Sequence, residues 1–138
     1  MTYLLDTNVV SELHKRTPDP AVRAWIAAVP DDQLFISVLN IGEIRRGVQV
    51  ARQRDLASAE RLHAWLERTI EQFADRIVPI VLRDALLWGQ FTAGNRIPVD
   101  DAMLAAQAAA RDWTLVTRNI KDVERTGVRL LNPFEYAG

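Results

Sequence analysis

Carboxylates at four separated places carry the chemistry that can be read from this chain: Asp6, Glu43, the pair Asp100–Asp101, and Asp122 with Asn119 three residues before it. Scattered oxygen donors without a histidine or cysteine cluster suit a hard divalent cation such as Mg2+ or Mn2+ rather than zinc. The chain has no cysteine, which removes disulfides, thiolate metal sites, iron–sulfur clusters and cysteine nucleophiles. His14 and His63 lack ligand-like spacing. Gly42, Gly47, Gly89, Gly94 and Gly127 are dispersed, so there is neither a glycine-rich phosphate loop nor a Gly-x-Ser-x-Gly elbow.

Each acid has an ordinary structural reading beside the functional one. Asp6 follows the apolar run Tyr3-Leu4-Leu5, where a buried strand gives way to a helix. It either caps that helix or stands at the strand ends where α/β proteins bind ligands. Glu43 shares a helical face with Leu39, Gly47 and Val50, so its charge needs a metal or a partner, and Arg46 is the nearest base on the helix. Asp100 and Asp101 open a helix, whose dipole alone favours acids. Asp101 aligns with Leu104, Ala105 and Ala108, and Asp100 with Met103, Gln107 and Arg111. Asp101 is therefore expected to point into a site and Asp100 to lie at its rim. Trp25, Trp65, Trp88 and Trp113 sit at apolar periodic positions and read as core.

The elements that must position these groups alternate. Strands are expected at 3–5, 34–36, 77–81, 114–117 and 128–131. Helices are expected from Thr7 or Asn8 to Leu13, at 20–28 with Asp19 as cap, from Ser37 or Asn40 to about Arg54, at 58–73 with Leu62, Trp65, Leu66, Ile70 and Phe73 on one stripe, up to Ala93, and from Pro98 to about Asp112. A short turn or helix is expected over 119–124. Alternation of this kind predicts an α/β domain with a mainly parallel sheet.

With 138 residues, 49% hydrophobic and 25% charged, the chain reads as one ordinary globular domain able to bury its own core. No apolar run approaches the roughly 18 residues of a membrane span, and the N-terminus lacks a secretory pattern, so no membrane association and a cytoplasmic location are expected. Seventeen basic against eighteen acidic residues give a net charge of −1, which argues against a general polyanion binder. Fifteen of the seventeen bases are Arg, which suits bidentate phosphate contacts but follows equally from GC-rich coding.

Taken together, the motifs resemble a known family. Leu4-Leu5-Asp6-Thr7-Asn8-Val9-Val10-Ser11-Glu12 resembles the opening of PIN-domain nucleases, in particular the toxin subunits of VapBC-type and FitAB-type toxin–antitoxin pairs. Asn40-Ile41-Gly42-Glu43-Ile44-Arg45-Arg46-Gly47 resembles the second block, Pro98-Val99-Asp100-Asp101-Ala102-Met103-Leu104-Ala105-Ala106 the third, Thr117-Arg118-Asn119-Ile120-Lys121-Asp122 the fourth, and Asn132-Pro133-Phe134 the close. The blocks keep the family order along the whole chain.

The resemblance implies a single PIN domain over residues 1–138 with a three-layer α/β/α fold. It also implies a metal-dependent endoribonuclease that leaves a 5′-phosphate and a 3′-hydroxyl. Asp6, Glu43 and Asp101 match the family's regular acids. Asn119 and Asp122 share the fourth place, Asn119 through its carbonyl oxygen and Asp122 through its charge. Thr7, Asn8 and Thr117 are expected to hold the carboxylates. Arg46 and Arg118 are expected either near the mouth, placing RNA, or paired with these acids. The implied partners are an RNA substrate, a cognate antitoxin lying on the apolar surfaces of helices around residues 38–73, operator DNA only through that antitoxin, and a second copy in a homodimer.

Two other readings start from the same residues. A haloacid-dehalogenase-type phosphatase also opens on a strand ending in Asp, but needs a second Asp where this chain has Asn8. A non-catalytic PIN-like binding module would follow if Asn119 marked a degenerate site.

Overall fold

The computed structural model describes residues 1–138. Its elements are β1 (Tyr3–Leu5), α1 (Thr7–His14), α2 (Pro20–Ala28), β2 (Leu34–Ser37), α3 (Val38–Arg52), α4 (Leu56–Gln72), β3 (Ile77–Val78), α5 (Leu82–Thr92), α6 (Val99–Arg111), β4 (Thr114–Val116), α7 (Ile120–Val123) and β5 (Leu130–Leu131). The sheet runs β3-β2-β1-β4-β5 and every pairing in it is parallel. The expected three-layer α/β/α architecture is present, with a sheet parallel throughout.

Side chains alternate across the strands and so build two cores. Leu5 joins Val9, Val22, Trp25, Ile36, Ile44 and Leu66 on the face covered by the first four helices. Leu4 joins Leu104, Ala105, Ala108, Leu115 and Val123 on the other. The small residues of α6 let that helix lie close against the sheet, and Ala102, Ala105, Ala106 and Ala108 are fully buried. Of the tryptophans only Trp25 is buried outright, while Trp65, Trp88 and Trp113 are partly buried against the cores.

Several boundaries differ from the sequence reading, each for a local reason. The β-branched run 77–81 gives only a two-residue strand, because Pro79 lacks an N–H and Val81 already caps α5. The run 128–131 pairs only at Leu130–Leu131 on the sheet edge. α4 begins at Leu56 because Asp55 caps it, and its expected stripe residue Ile70 is 40% exposed. Ser37 is the cap of α3, answered by Asn40 in a capping box, so β2 passes into α3 without a loop.

Successive elements fill one side of β1 as far as β3, and the chain then returns to place β4 on the other side. The carboxyl ends of β1 and β4 thus flank the point where strand order reverses, the usual crevice for ligands in parallel α/β sheets. Asp6 follows β1 and Thr117 follows β4.

Candidate metal centre at the carboxyl ends of the strands

Asp6 serves both readings made of it. Its Oδ1 accepts the Thr7 N–H at 2.6 Å and caps α1. Its Oδ2 accepts the Thr117 hydroxyl at 2.7 Å and the Asn8 amide at 3.3 Å. Thr117 Oγ1 in turn accepts the Asn119 N–H at 3.0 Å, tying the loop after β4 to the start of α1. Asn8 therefore supports Asp6 as a donor, at the position where a dehalogenase-type phosphatase needs an acid.

Glu43 is half-buried on α3. Its Oε1 accepts the Thr7 hydroxyl at 2.7 Å, and Thr7 Oγ1 accepts the Asn40 amide at 2.7 Å. Asn40 is fully buried, and its Oδ1 accepts the Ser37 N–H at 2.6 Å. The relay Asn40–Thr7–Glu43 so fixes the carboxylate from the capping box of its own helix. The sequence offers Asn40 as a helix start and as the opening of the second block, and the Ser37-x-x-Asn40 spacing is the signal for its capping role.

The acids crowd one another. Burial pushes the Asp6 carboxyl above its ordinary value, against the Thr117 hydrogen bond, with Asp100 adding repulsion. Burial also raises Glu43, and Asp100, which abuts it, and Asp6 raise it further against the Thr7 hydrogen bond. Asp101 is pushed from 3.8 to about 6, first by burial and then by the charges of Asp6, Asp122, Glu43 and Asp100. Asp101 thus lies within electrostatic reach of all four of these acids. Asp100, with its side chain 34% exposed, belongs to the same cluster through Glu43 and Asp6.

One base touches the cluster. Arg46 Nη2 lies 4.0 Å from Glu43 and 3.9 Å from Asp100. Arg118 instead lies over the Phe134 ring, 4.3 Å from its centre. Asp122 is exposed, within electrostatic reach of Asp101. The Asn119 residue is exposed too and its recorded bond is through the backbone; its side chain makes no hydrogen bond to the acids.

Asp6, Glu43 and Asp101 thus lie within electrostatic reach of one another near the β1–β4 crevice, Asp122 is in reach of Asp101, and the Asn119 side chain makes no hydrogen bond to these acids. As the side chains stand, no three acids converge tightly enough to hold one ion. The donor set still fits a hard divalent cation: it is all oxygen, three of its carboxyls are held above their ordinary values, and one loosely placed Arg is its only counter-charge.

An apolar cleft lies elsewhere. A cavity of about 440 Å³ between α1, α2 and α4 is lined by Leu13, Ile26, Trp65 and Phe73, with Arg68 at its rim. The His14 ring stacks on Trp65 there at 4.4 Å. Within residues 38–73, Ile44 and Val48 of α3 are buried in the fold, whereas Val38, Val50, Leu56 and Ile70 are exposed and Trp65 of α4 lines this cavity.

The PIN domain profile matches residues 3–127, and the chain belongs to the PIN-domain family. It is similar to the VapC ribonuclease Y4jK of Sinorhizobium fredii, 33% identical over 97% of this chain and 99% of that protein. It is also similar to the toxin FitB of Neisseria gonorrhoeae, 31% identical over 95% of this chain and 97% of that one. A solved structure of FitAB bound to a DNA fragment superposes with a TM-score of 0.86 at 29% identity, covering 99% of both chains.

Proposed function

We propose that this protein is a metal-dependent endoribonuclease, the toxin of a type II toxin–antitoxin pair, hydrolysing RNA phosphodiester bonds. The observation that carries the chemistry is the group of Asp6, Glu43 and Asp101 at the β1–β4 crevice, whose mutual repulsion lacks a resident counter-charge strong enough to cancel it. The VapC and FitB relatives over nearly the whole chain support the toxin ribonuclease reading.

Asp6, Glu43 and Asp101 would hold Mg2+ or Mn2+, with Asp122 and Asn119 completing the site from the loop after β4. A divalent ion in such a site activates a water and neutralises charge on the phosphate. The chain's own part is to hold its acids still. Thr117 and Asn8 orient Asp6, and Thr7 and Asn40 orient Glu43. Water adds to phosphorus, the bond to the 3′ oxygen breaks, and a 5′-phosphate and a 3′-hydroxyl remain.

A cognate antitoxin would occupy the apolar cleft between α1, α2 and α4, where Leu13, Ile26, Trp65 and Phe73 offer a floor for an amphipathic segment. Contact with operator DNA would run through that antitoxin, in keeping with the net charge of −1. A homodimer would use the uncharged stripe Leu82, Ala85, Leu86 and Gly89 of α5, where the two leucines are 75% and 66% exposed. The compartment we assign is the cytoplasm.

The deciding experiment is purified protein against a mixed RNA pool, wild type beside Asp6→Asn, with Mn2+ or with chelator. Cleavage by the wild type in Mn2+, a loss of more than about 100-fold in Asp6→Asn, and 5′-phosphate ends are expected. An unimpaired Asp6→Asn would refute the site. Wild type that binds no Mn2+ by calorimetry and cuts nothing would return the protein to the non-catalytic module that the position of Asn119 favours.

A further inference from the structure

Arg46 is poorly explained as a structural ion pair. Its two contacts, 4.0 Å to Glu43 and 3.9 Å to Asp100, are long, and its side chain remains 70% exposed. Beside it a groove of about 480 Å³ runs from Glu43 along α3 to the start of α4. Gly47 forms part of the wall, and a Cβ placed there would meet nothing within 4 Å, so packing within the chain does not demand the glycine. Arg54 lines the far end and makes no ion pair. Asp55, the acid next to it, is turned onto α4, accepting the Ala57 and Ser58 N–H groups at 3.1 and 3.4 Å and the Ser58 hydroxyl at 2.8 Å. The groove therefore offers a wall of Gly47, Val50 and Ala51 between the loosely paired Arg46 and the unpaired Arg54, and it begins at Glu43 of the acid cluster.

We propose that Arg46 is a mobile counter-ion that rests between Glu43 and Asp100 in the metal-free protein and turns into the α3–α4 groove to hold an RNA phosphate once a divalent ion occupies the acids. This rests on the ribonuclease reading. A guanidinium and a dication cannot both sit against Glu43 without repelling each other, and the loosely held, exposed group is the one that moves. Its planar fork matches a phosphate, so displacement hands a cation to the substrate at the moment the site is loaded. RNA engagement is thereby coupled to metal occupancy.

The coupling gives Arg46→Gln two effects of opposite sign. Calorimetric titration with Mn2+ should show binding about two- to fivefold tighter than wild type, because an exposed competing pair has been removed. The KM for a mixed-sequence single-stranded RNA in Mn2+ should rise about fivefold, by more than kcat falls. The salt dependence of kcat/KM should flatten by about 0.7 in log–log slope, one phosphate contact fewer. In chelator, the anisotropy of labelled RNA should respond to wild type and variant alike. Arg46→Lys, which keeps the charge but not the fork, should bind Mn2+ like wild type and give an intermediate KM.

Mn2+ binding that is unchanged or weaker in Arg46→Gln, or an unchanged KM and salt slope, would overturn the proposal while wild-type cleavage kept the ribonuclease reading. A wild type that neither binds Mn2+ nor cleaves RNA would remove that reading, and this proposal with it.

Discussion

Two sets of carboxylates sit on either end of the α6 neighbourhood and are treated in opposite ways. Asp84, on α5 beside the end of α6, is completely buried and fully answered. Arg111 closes on it as a fork, Nη1 to Oδ1 at 2.8 Å and Nη2 to Oδ2 at 3.2 Å, and the Val81 N–H donates to it at 3.0 Å. Arg111 also donates to the Gln107 carbonyl at 2.8 Å, satisfying a group at the helix end. At the other end of α6, Asp101 meets four further acids and is held near pKa 6. A carboxylate kept for structure arrives with its cation in the sequence. The cleft carboxylates arrive with hydroxyl and amide supports and one loose Arg, an arrangement that stabilises the fold little and leaves room for charge from outside.

Breaking the structural pair should therefore cost the most. Asp84→Ala leaves the partly buried Arg111 guanidinium without its carboxylate and removes the acceptor of the Val81 N–H at the start of α5, and is expected to lose about 3 kcal/mol in urea unfolding. Asp6→Asn keeps a capping side chain and removes a repelled charge, so its stability should stay within about 1 kcal/mol of wild type. Equal destabilisation by the two would erase the distinction between the regions.

The supports of the cleft should matter next, and mainly for ion binding. Thr7→Val preserves shape while removing the hydroxyl that links Asn40 to Glu43. Loss of such a support is expected to weaken Mn2+ affinity about tenfold, read by calorimetry, with about 1 kcal/mol lost from stability through the unpaired Asn40 amide. A larger loss of stability than of ion affinity would make the relay structural instead.

This difference in support is also where the sequence stops being legible. Asp6 after an apolar triplet, Asp19 before Pro20, and Asp101 in phase with Leu104 and Ala108 are local patterns, and local patterns specify caps and faces. The fold class follows from strand–helix alternation in the same way. The Asn40–Thr7 contact spans two elements distant in sequence, so only the α1–α3 packing creates it, though Thr7 and Asn40 are each recognisable as lying at a helix start. The Asp84–Arg111 pair is equally non-local. Arg111 aligns with Asp100, Met103 and Gln107 along α6, and its partner on α5 leaves no periodic trace. Val78-Pro79-Ile80-Val81 misleads for the converse reason: its composition is that of a strand, but Pro79 and the α5 cap cut the pairing short.

The smallest expected effect tests the acid crowding itself. Native Asp101 holds its proton up to about pH 6, whereas an unstrained carboxyl releases it near 3.8. Between those values the native state binds more protons than the unfolded chain, so stability contributed here falls as pH rises through the window. Asp101→Asn lacks that titration. Without metal, wild type and variant should be equally stable near pH 4, and the variant should gain steadily until the difference levels off above about pH 6. Its size should be on the order of 1 kcal/mol, since the half-exposed position lets solvent screen much of the repulsion. Saturating Mn2+ should invert the order at pH 7, because an ion that binds the ionised wild type stabilises it and has one fewer ligand in the variant. A difference that stayed flat with pH, or an order unchanged by Mn2+, would mean the cleft acids are not waiting for a cation and differ from Asp84 only in depth.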